Sequence, residues 1–390
     1  MGRRKKSTEL SKEDRIGALV NTLSKRFPGK VLSGRDYSAP WALRRLPSGI
    51  LNLDIATNGG LPAGGMTMIT GKPNEGKNWL LCQYIAQQQR IYGDECAFAI
   101  IGTEMPFDKM QARKANVSIA LSDEEIEMED QVIRQTSCGT DSLDDETREG
   151  LKSQIGHFTI VPPSTAEESF ELAVELVKSR EFNIVAIDSF GSVLPEEDKD
   201  KSMGDNSKVG GASGLNTRLM RKLNEAMSPD EDGKPNLTCV IGINQIRDNI
   251  GARAFQKQIS ESGGWALKHG RFVTIELTRI AHITKEVRGK KMKVGKTIKW
   301  EITKQKAGGH DGHVGTYNFY FAPTLHHNRE EVLVEELLDL GLIEKKGAWF
   351  TIEDTNLQGI NAVAEYIRTK KLLDDLEQKV LQAHGVGYRF

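Results

Sequence analysis

A chain of 390 residues with 38% hydrophobic content has enough apolar side chain to bury a substantial core, and no run reaches the roughly 18 to 20 uninterrupted apolar residues of a membrane span. The polar start MGRRKKSTELSKEDR predicts neither secretion nor insertion, and four scattered cysteines without a CxxC pair predict neither a disulfide framework nor a zinc knuckle. A reducing, cytoplasmic setting with no membrane partner is expected. The net charge of −1 conceals segregation: residues 1–50 carry 12 basic against 4 acidic residues, 119–149 carry 2 against 11, and 285–306 carry 9 against 2. Such blocks serve as solvated faces or as polyanion footprints, and charge alone does not choose between them.

In chain order, residues 11–33 read as an amphipathic helix, because Ile16, Leu19, Val20 and Leu23 recur at helical spacing ahead of a Pro28-Gly29 stop. Apolar strand-like runs then alternate with helical patterns from about residue 44 to 305. They are MTMIT, a helix at 77–91, CAFAII, HFTIV, a helix at 166–179, NIVAID, a helix at 215–226, TCVIGIN, FVTIELT and TIKWEIT. This alternation predicts a mostly parallel sheet covered by helices, since parallel strands need long crossovers. A small α/β tail follows. Residues 118–149, 195–214 and 248–264 resist assignment to regular structure, and the latter two begin where a core strand ends.

The strongest local signal is GKPNEGKN, residues 71–78, between the strand MTMIT and a helix. Gly71 and Gly76 let backbone amides turn inward as an anion cradle formed with Lys72, Pro73, Asn74 and Glu75. Lys77 can reach the terminal phosphates, and the helix start adds its positive dipole end. Position 78 departs from the pattern: Asn78 stands where Ser or Thr would offer a hydroxyl to magnesium. NIVAID ends in Asp188-Ser189, a strand-end carboxylate suited to the metal shell, which makes Asn78 and Asp188 the candidate Mg2+ ligands and ATP the expected nucleotide. CAFAII leads into Glu104, positioned as a candidate general base for the attacking water.

With these residues in hand, the chain resembles the bacterial RecA family of homologous recombinases over roughly residues 11–382. The likeness is carried by LPSGILNLDIATNGGLPAGGMTMITG before the phosphate loop, INQIRDNIG at 243–251, SGGWALKH at 262–269 and LGLIEKKGAWF at 340–350. It implies a RecA-type P-loop ATPase core over 44–329, an N-terminal oligomerisation arm over 1–43 and a C-terminal α/β domain over 330–390. DNA loops would lie near 195–214 and 248–264.

The resemblance also implies roles. Lys77 binds the phosphates, Asp188 the metal, Glu104 activates water, and Gln245 senses the terminal phosphate. Lys304 and Lys306 reach across a subunit interface to a neighbour's ATP. Thr217, Arg221, Arg247, Ile250, Gly263 and Gly264 fall at DNA-contacting positions, where backbone amides and a few cations suit binding that ignores sequence. The implied activity is a DNA-dependent ATPase whose helical homo-oligomeric filament on single-stranded DNA pairs it with a homologous duplex. Asn78 keeps a second reading open, a feebly or non-hydrolysing filament protein. A RecA-core helicase is disfavoured by the INQIR, GGWALK and GAWF segments. The acidic stretch 118–149 reads as an insertion relative to the family.

Overall fold

The computed structural model describes residues 11–31, 34, 37–102, 107–136, 142–162, 165–190, 211–248, 259–261, 264–287, 290–321 and 329–386. The principal strands are β1 (Met66–Gly71), β2 (Ala97–Gly102), β3 (His157–Val161), β4 (Ile184–Asp188), β5 (Cys239–Asp248), β6 (Val273–Val287), β7 (Lys290–Gln305) and β8 (Val314–Tyr320). They form one sheet in the order β8-β7-β6-β1-β5-β4-β2-β3, joined off the path by the short strand Ile259–Glu261, which pairs with the end of β5. From β6 to β3 every neighbouring pair is parallel, as the alternating sequence pattern predicts, and β7 and β8 close one edge antiparallel.

The main helices of this part are α1 (Lys12–Arg26), α2 (Lys77–Tyr92), α3 (Asp123–Thr136), α4 (Asp145–Lys152), α5 (Ala166–Ser179), α6 (Gly211–Ala226) and α7 (Gly264–Gly270). Strand alternation sends successive side chains to opposite faces, and each face acquires its own core. Ile184 and Ala186 of β4 pack with Leu80, Tyr84 and Ile85 of α2 on one side. Val185 and Ile187 pack with Phe170 and Val174 of α5 and Leu223 of α6 on the other. A third core binds α8 (Arg329–Asp339), α9 (Ile360–Thr369) and α10 (Leu373–Ala383) to a small antiparallel sheet through Leu333, Phe350, Ile367 and Val380.

Helix α1 starts on a capping box between Ser11 and Asp14 and ends at Arg26, ahead of Pro28-Gly29. None of its residues is buried; Ile16 and Leu19 are 51% and 58% exposed, while Val20 and Leu23 of the same stripe are half-buried, so among the described residues the stripe is only partly covered.

Two regions differ from the sequence expectation. The acidic stretch 118–149, which lacks an obvious periodic core, contains α3 and the start of α4. Its organising group is polar: the buried Asp130 carboxylate accepts from the Leu143 backbone N–H at 2.6 Å and from Arg148 at 2.6 Å, and pairs with Arg134 at 2.7 Å. The hairpin β6–β7 is also far longer than FVTIELT and TIKWEIT suggest. Only Val273–Leu277 of β6 pairs with β1; beyond Leu277 the strand pairs with β7 alone, and past Ile283 and Gly295, where β8 also ends, Thr284–Val287 and Lys290–Lys293 form a two-stranded ribbon rich in lysine.

Candidate nucleotide-binding site

The parallel register brings several strand ends to one edge of the sheet. Gly71, the last residue of β1, lies opposite Gln245 of β5, while Asp188 of β4 lies opposite Ile243 of β5 and Gly102 of β2. The loop 71–78 leaves β1 here and turns into α2. Gly76, the N-cap of α2, has φ 83°, a left-handed conformation that glycine adopts without steric cost. Gly71 cannot carry a side chain either, because a Cβ there would meet the Leu277 carbonyl oxygen at 2.8 Å.

The Lys77 side chain is buried over this loop, its Nζ donating to the carbonyls of Gly71 at 2.9 Å and Lys72 at 2.8 Å. These bonds hold the ammonium at the mouth of the cradle, where phosphate oxygens would meet it. Glu75 is buried and accepts from the Lys72 backbone N–H at 2.7 Å and the Arg279 N–H of β6 at 3.4 Å. Its negative charge is thus spent on shaping the loop. Lys296 of β7 donates to the Asn74 carbonyl at 2.9 Å and sits 5.5 Å from the centre of the Phe321 ring. Burial, and next the charge of Arg279, pull the Lys296 ammonium below its ordinary pKa, with Glu75 acting in the opposite sense. Behind the loop, Trp79 stacks on Tyr317 with ring centroids 4.8 Å apart.

Asn78 turns toward β4, its Nδ2 donating to Asp188 Oδ2 at 2.8 Å. The residue expected to help hold magnesium therefore presents a hydrogen-bond donor to the carboxylate, and this arrangement does not fit a metal ion ligated by both side chains. Ser189 is buried just behind.

Of the residues singled out in the sequence, Gly71 to Asn78, Asp188, Ser189 and Gln245 share this edge. Glu104 lies outside the described residues, beyond the end of β2, as do Ile250 and Gly263. Lys304 and Lys306 sit at the opposite end of the sheet. The Lys306 N–H bonds to Phe272 O, and the Phe272 N–H to Met66 O at the start of β1. That is about 17 Å along the strand from the protomer's own phosphate loop. Lys306 Nζ donates to the His269 carbonyl at 2.6 Å, and Lys304 Nζ donates to the Lys268 and His269 carbonyls, so both cap the C-terminal end of α7. Thr217 and the exposed Arg221 stand one turn apart on α6, Arg247 belongs to the part of β5 that pairs with Ile259–Glu261, and Gly264 begins α7.

Sequence reasoning missed Lys296 and Arg279. Their only signal was the basic run at 285–306 and the strand before it, which gave charge without position.

The RecA N-terminal domain model matches residues 137–310, the RecA C-terminal domain model 333–385, and the KaiC ATPase model 46–203. The chain is RecA-like. Protein RecA of Chloroflexus aurantiacus is 27% identical over 378 residues, covering 96% of this chain and 92% of that one. Protein RecA of Porphyromonas gingivalis is 29% identical over 345 residues, covering 87% and 84%. A crystal structure of the RadB recombinase is similar at 17% identity and a TM-score of 0.43, covering 71% of this chain and 96% of that one, a likeness too distant to carry weight. The RecA-like chain has an ATPase-type core, and among its described residues no helix is long and apolar enough to cross a membrane.

Proposed function

We propose that this RecA-like chain is a DNA-dependent ATPase that forms a helical filament on single-stranded DNA, pairs it with a homologous duplex and exchanges strands. The observation that carries the reading is the path of β5. Gln245 lies beside Gly71 at the phosphate loop, and the same strand then pairs through Ile246, Arg247 and Asp248 with Glu261, Ser260 and Ile259. The intervening segment is the candidate second DNA loop. Nucleotide and DNA are thereby read by one continuous piece of backbone, the physical basis for coupling two sites.

In this reading the loop amides and Lys77 hold the phosphates of ATP, Glu104 takes the proton of the attacking water, and Gln245 reports the terminal phosphate to the DNA loop. Lys304 and Lys306 complete a neighbour's site, which their distance from their own phosphate loop favours. The exposed Ile16 and Leu19 of α1 support docking of the arm on an adjacent copy. Thr217, Arg221, Arg247, Ile250, Gly263 and Gly264 line the DNA path, where backbone and phosphate contacts give no sequence preference. Magnesium accompanies ATP in such ATPases, but with Asn78 bonded to Asp188 these two side chains do not form a joint ligand pair for it. The same bond favours the second reading, a filament protein that hydrolyses ATP feebly.

The test is electron microscopy of the chain on single-stranded DNA with a non-hydrolysed ATP analogue, alongside ATPase and strand-exchange assays. Helical filaments, DNA-stimulated turnover and joint-molecule formation are expected. Rings in place of filaments would overturn the recombinase reading, and filaments with pairing but negligible turnover would select the second.

A further inference from the structure

Where a phosphate loop ends in Ser or Thr, the hydroxyl and the strand-end carboxylate are linked through a magnesium ion. In this chain the two positions are linked directly, by the 2.8 Å bond from Asn78 Nδ2 to Asp188 Oδ2. An amide NH2 carries partial positive charge, so it satisfies the carboxylate and repels a cation placed between them. Turning the amide to offer its oxygen would forfeit this bond, so a metal ligated by both side chains has to compete with it. Magnesium, which demands oxygen ligands at about 2.0 to 2.1 Å, has no opening in this contact.

The charge that a metal would supply to bound phosphates is present in side chains on three elements. Lys77 lies at the start of α2, Lys296 reaches the Asn74 carbonyl from β7, and Arg279 follows on β6, its backbone N–H held to Glu75 and its exposed charge near enough to Lys296 to pull that ammonium's pKa down. Glu75, the carboxylate inside the loop, is engaged by two backbone amides.

Resting on the nucleotide-site reading above, we propose that the Asn78–Asp188 hydrogen bond replaces the metal bridge between phosphate loop and strand, so that the chain captures a nucleoside triphosphate without a divalent cation. Asn78 acts here as a positioning residue that fixes Asp188, and the phosphates are met by loop amides, Lys77 and the two cations of the β6–β7 hairpin.

The experiment measures equilibrium binding of a fluorescent, non-hydrolysed ATP analogue to the full chain by anisotropy, in magnesium and in EDTA. The native dissociation constant is expected to change by less than about threefold on removing the metal, and that of Asn78→Thr by about tenfold or more, because a hydroxyl restores the metal's ligand. Asn78→Ser serves the same purpose should the threonine disturb folding, with circular dichroism as the check. A native affinity that collapses in EDTA overturns the proposal while leaving the nucleotide site standing, as does a threonine variant as metal-tolerant as the native chain. Failure to bind in either buffer overturns the site itself.

Discussion

The two ends of the central sheet both gather lysines, and they bind them differently. At the phosphate-loop end, Lys77 and Lys296 donate to carbonyls of the loop itself, so the cations shape the cavity in which they would act. At the far end, Lys304 and Lys306 donate to the last carbonyls of α7, which follows the candidate second DNA loop. The first pair is placed for use within the protomer. The second is held on a helix terminus, where a cation is favoured by the terminal carbonyls and the helix dipole. Cations built into a cavity should be indispensable for binding, and cations parked on a helix end should matter chiefly between protomers.

The largest expected effect tests the first half of that contrast. Lys77→Ala should weaken nucleotide binding roughly a hundredfold and abolish ATP-dependent strand exchange, since charge-assisted bonds are worth about 1.5 to 3 kcal/mol each. Titration with a fluorescent ATP analogue reads the first effect and a joint-molecule assay the second; native-level values in both would remove Lys77 from the site.

The far end is broken by Lys304→Ala with Lys306→Ala. Filament length and ATPase cooperativity should fall steeply while single-protomer nucleotide affinity holds. Loss of the α7 cap should lower stability by only about 0.3 to 1 kcal/mol, measured by urea unfolding. A loss of nucleotide affinity in the monomer equal to that of Lys77→Ala would erase the distinction between the ends.

Smaller effects sharpen it. Lys296→Gln should weaken binding by roughly fivefold, the scale of about 1 kcal/mol for a partly exposed charge, and the deficit should shrink as salt is raised. An unchanged affinity at low salt would restrict Lys296 to holding Asn74.

The mildest test concerns Asp130, outside both ends. The Leu143 N–H, and then Arg134 and Arg148, hold its carboxyl below the ordinary carboxylate range. A depressed folded pKa stabilises the α3–α4 unit at pH values above the unfolded value of about 3.9 and is lost as pH falls through the folded value. Protease cleavage within residues 123–152 should therefore rise on acidification in the native chain. Asp130→Asn should be cleaved faster already at neutral pH and respond less to acid; identical pH profiles would show that Asp130 does not organise the unit.

How much of this was legible in the sequence follows from the range of the interactions involved. The phosphate loop reads directly because its glycines and lysine act within eight residues of chain, and the parallel core reads because its inner strands are buried on both faces. The α3–α4 unit does not read, since its centre is a buried carboxylate whose partners lie 13 and 18 positions away. Lys296 was illegible for another reason. Its position depends on the β6–β7 register, which shifts between Lys293 and Gly295 and again between Thr297 and Ile298, and no periodicity announces such bulges. The polarity of Asn78 was visible, but not that its amide would face Asp188 with nitrogen forward.

The bond from the Arg279 N–H to Glu75 supplies a reporter that needs no label. At 3.4 Å it is long for an amide donor, and it lies just past the last β6 residue paired to β1. The exchange rate of that single amide proton with deuterium therefore follows the posture of the phosphate loop. Slower exchange on adding nucleotide would register a loop drawn tight against β6, and faster exchange a loop pulled away.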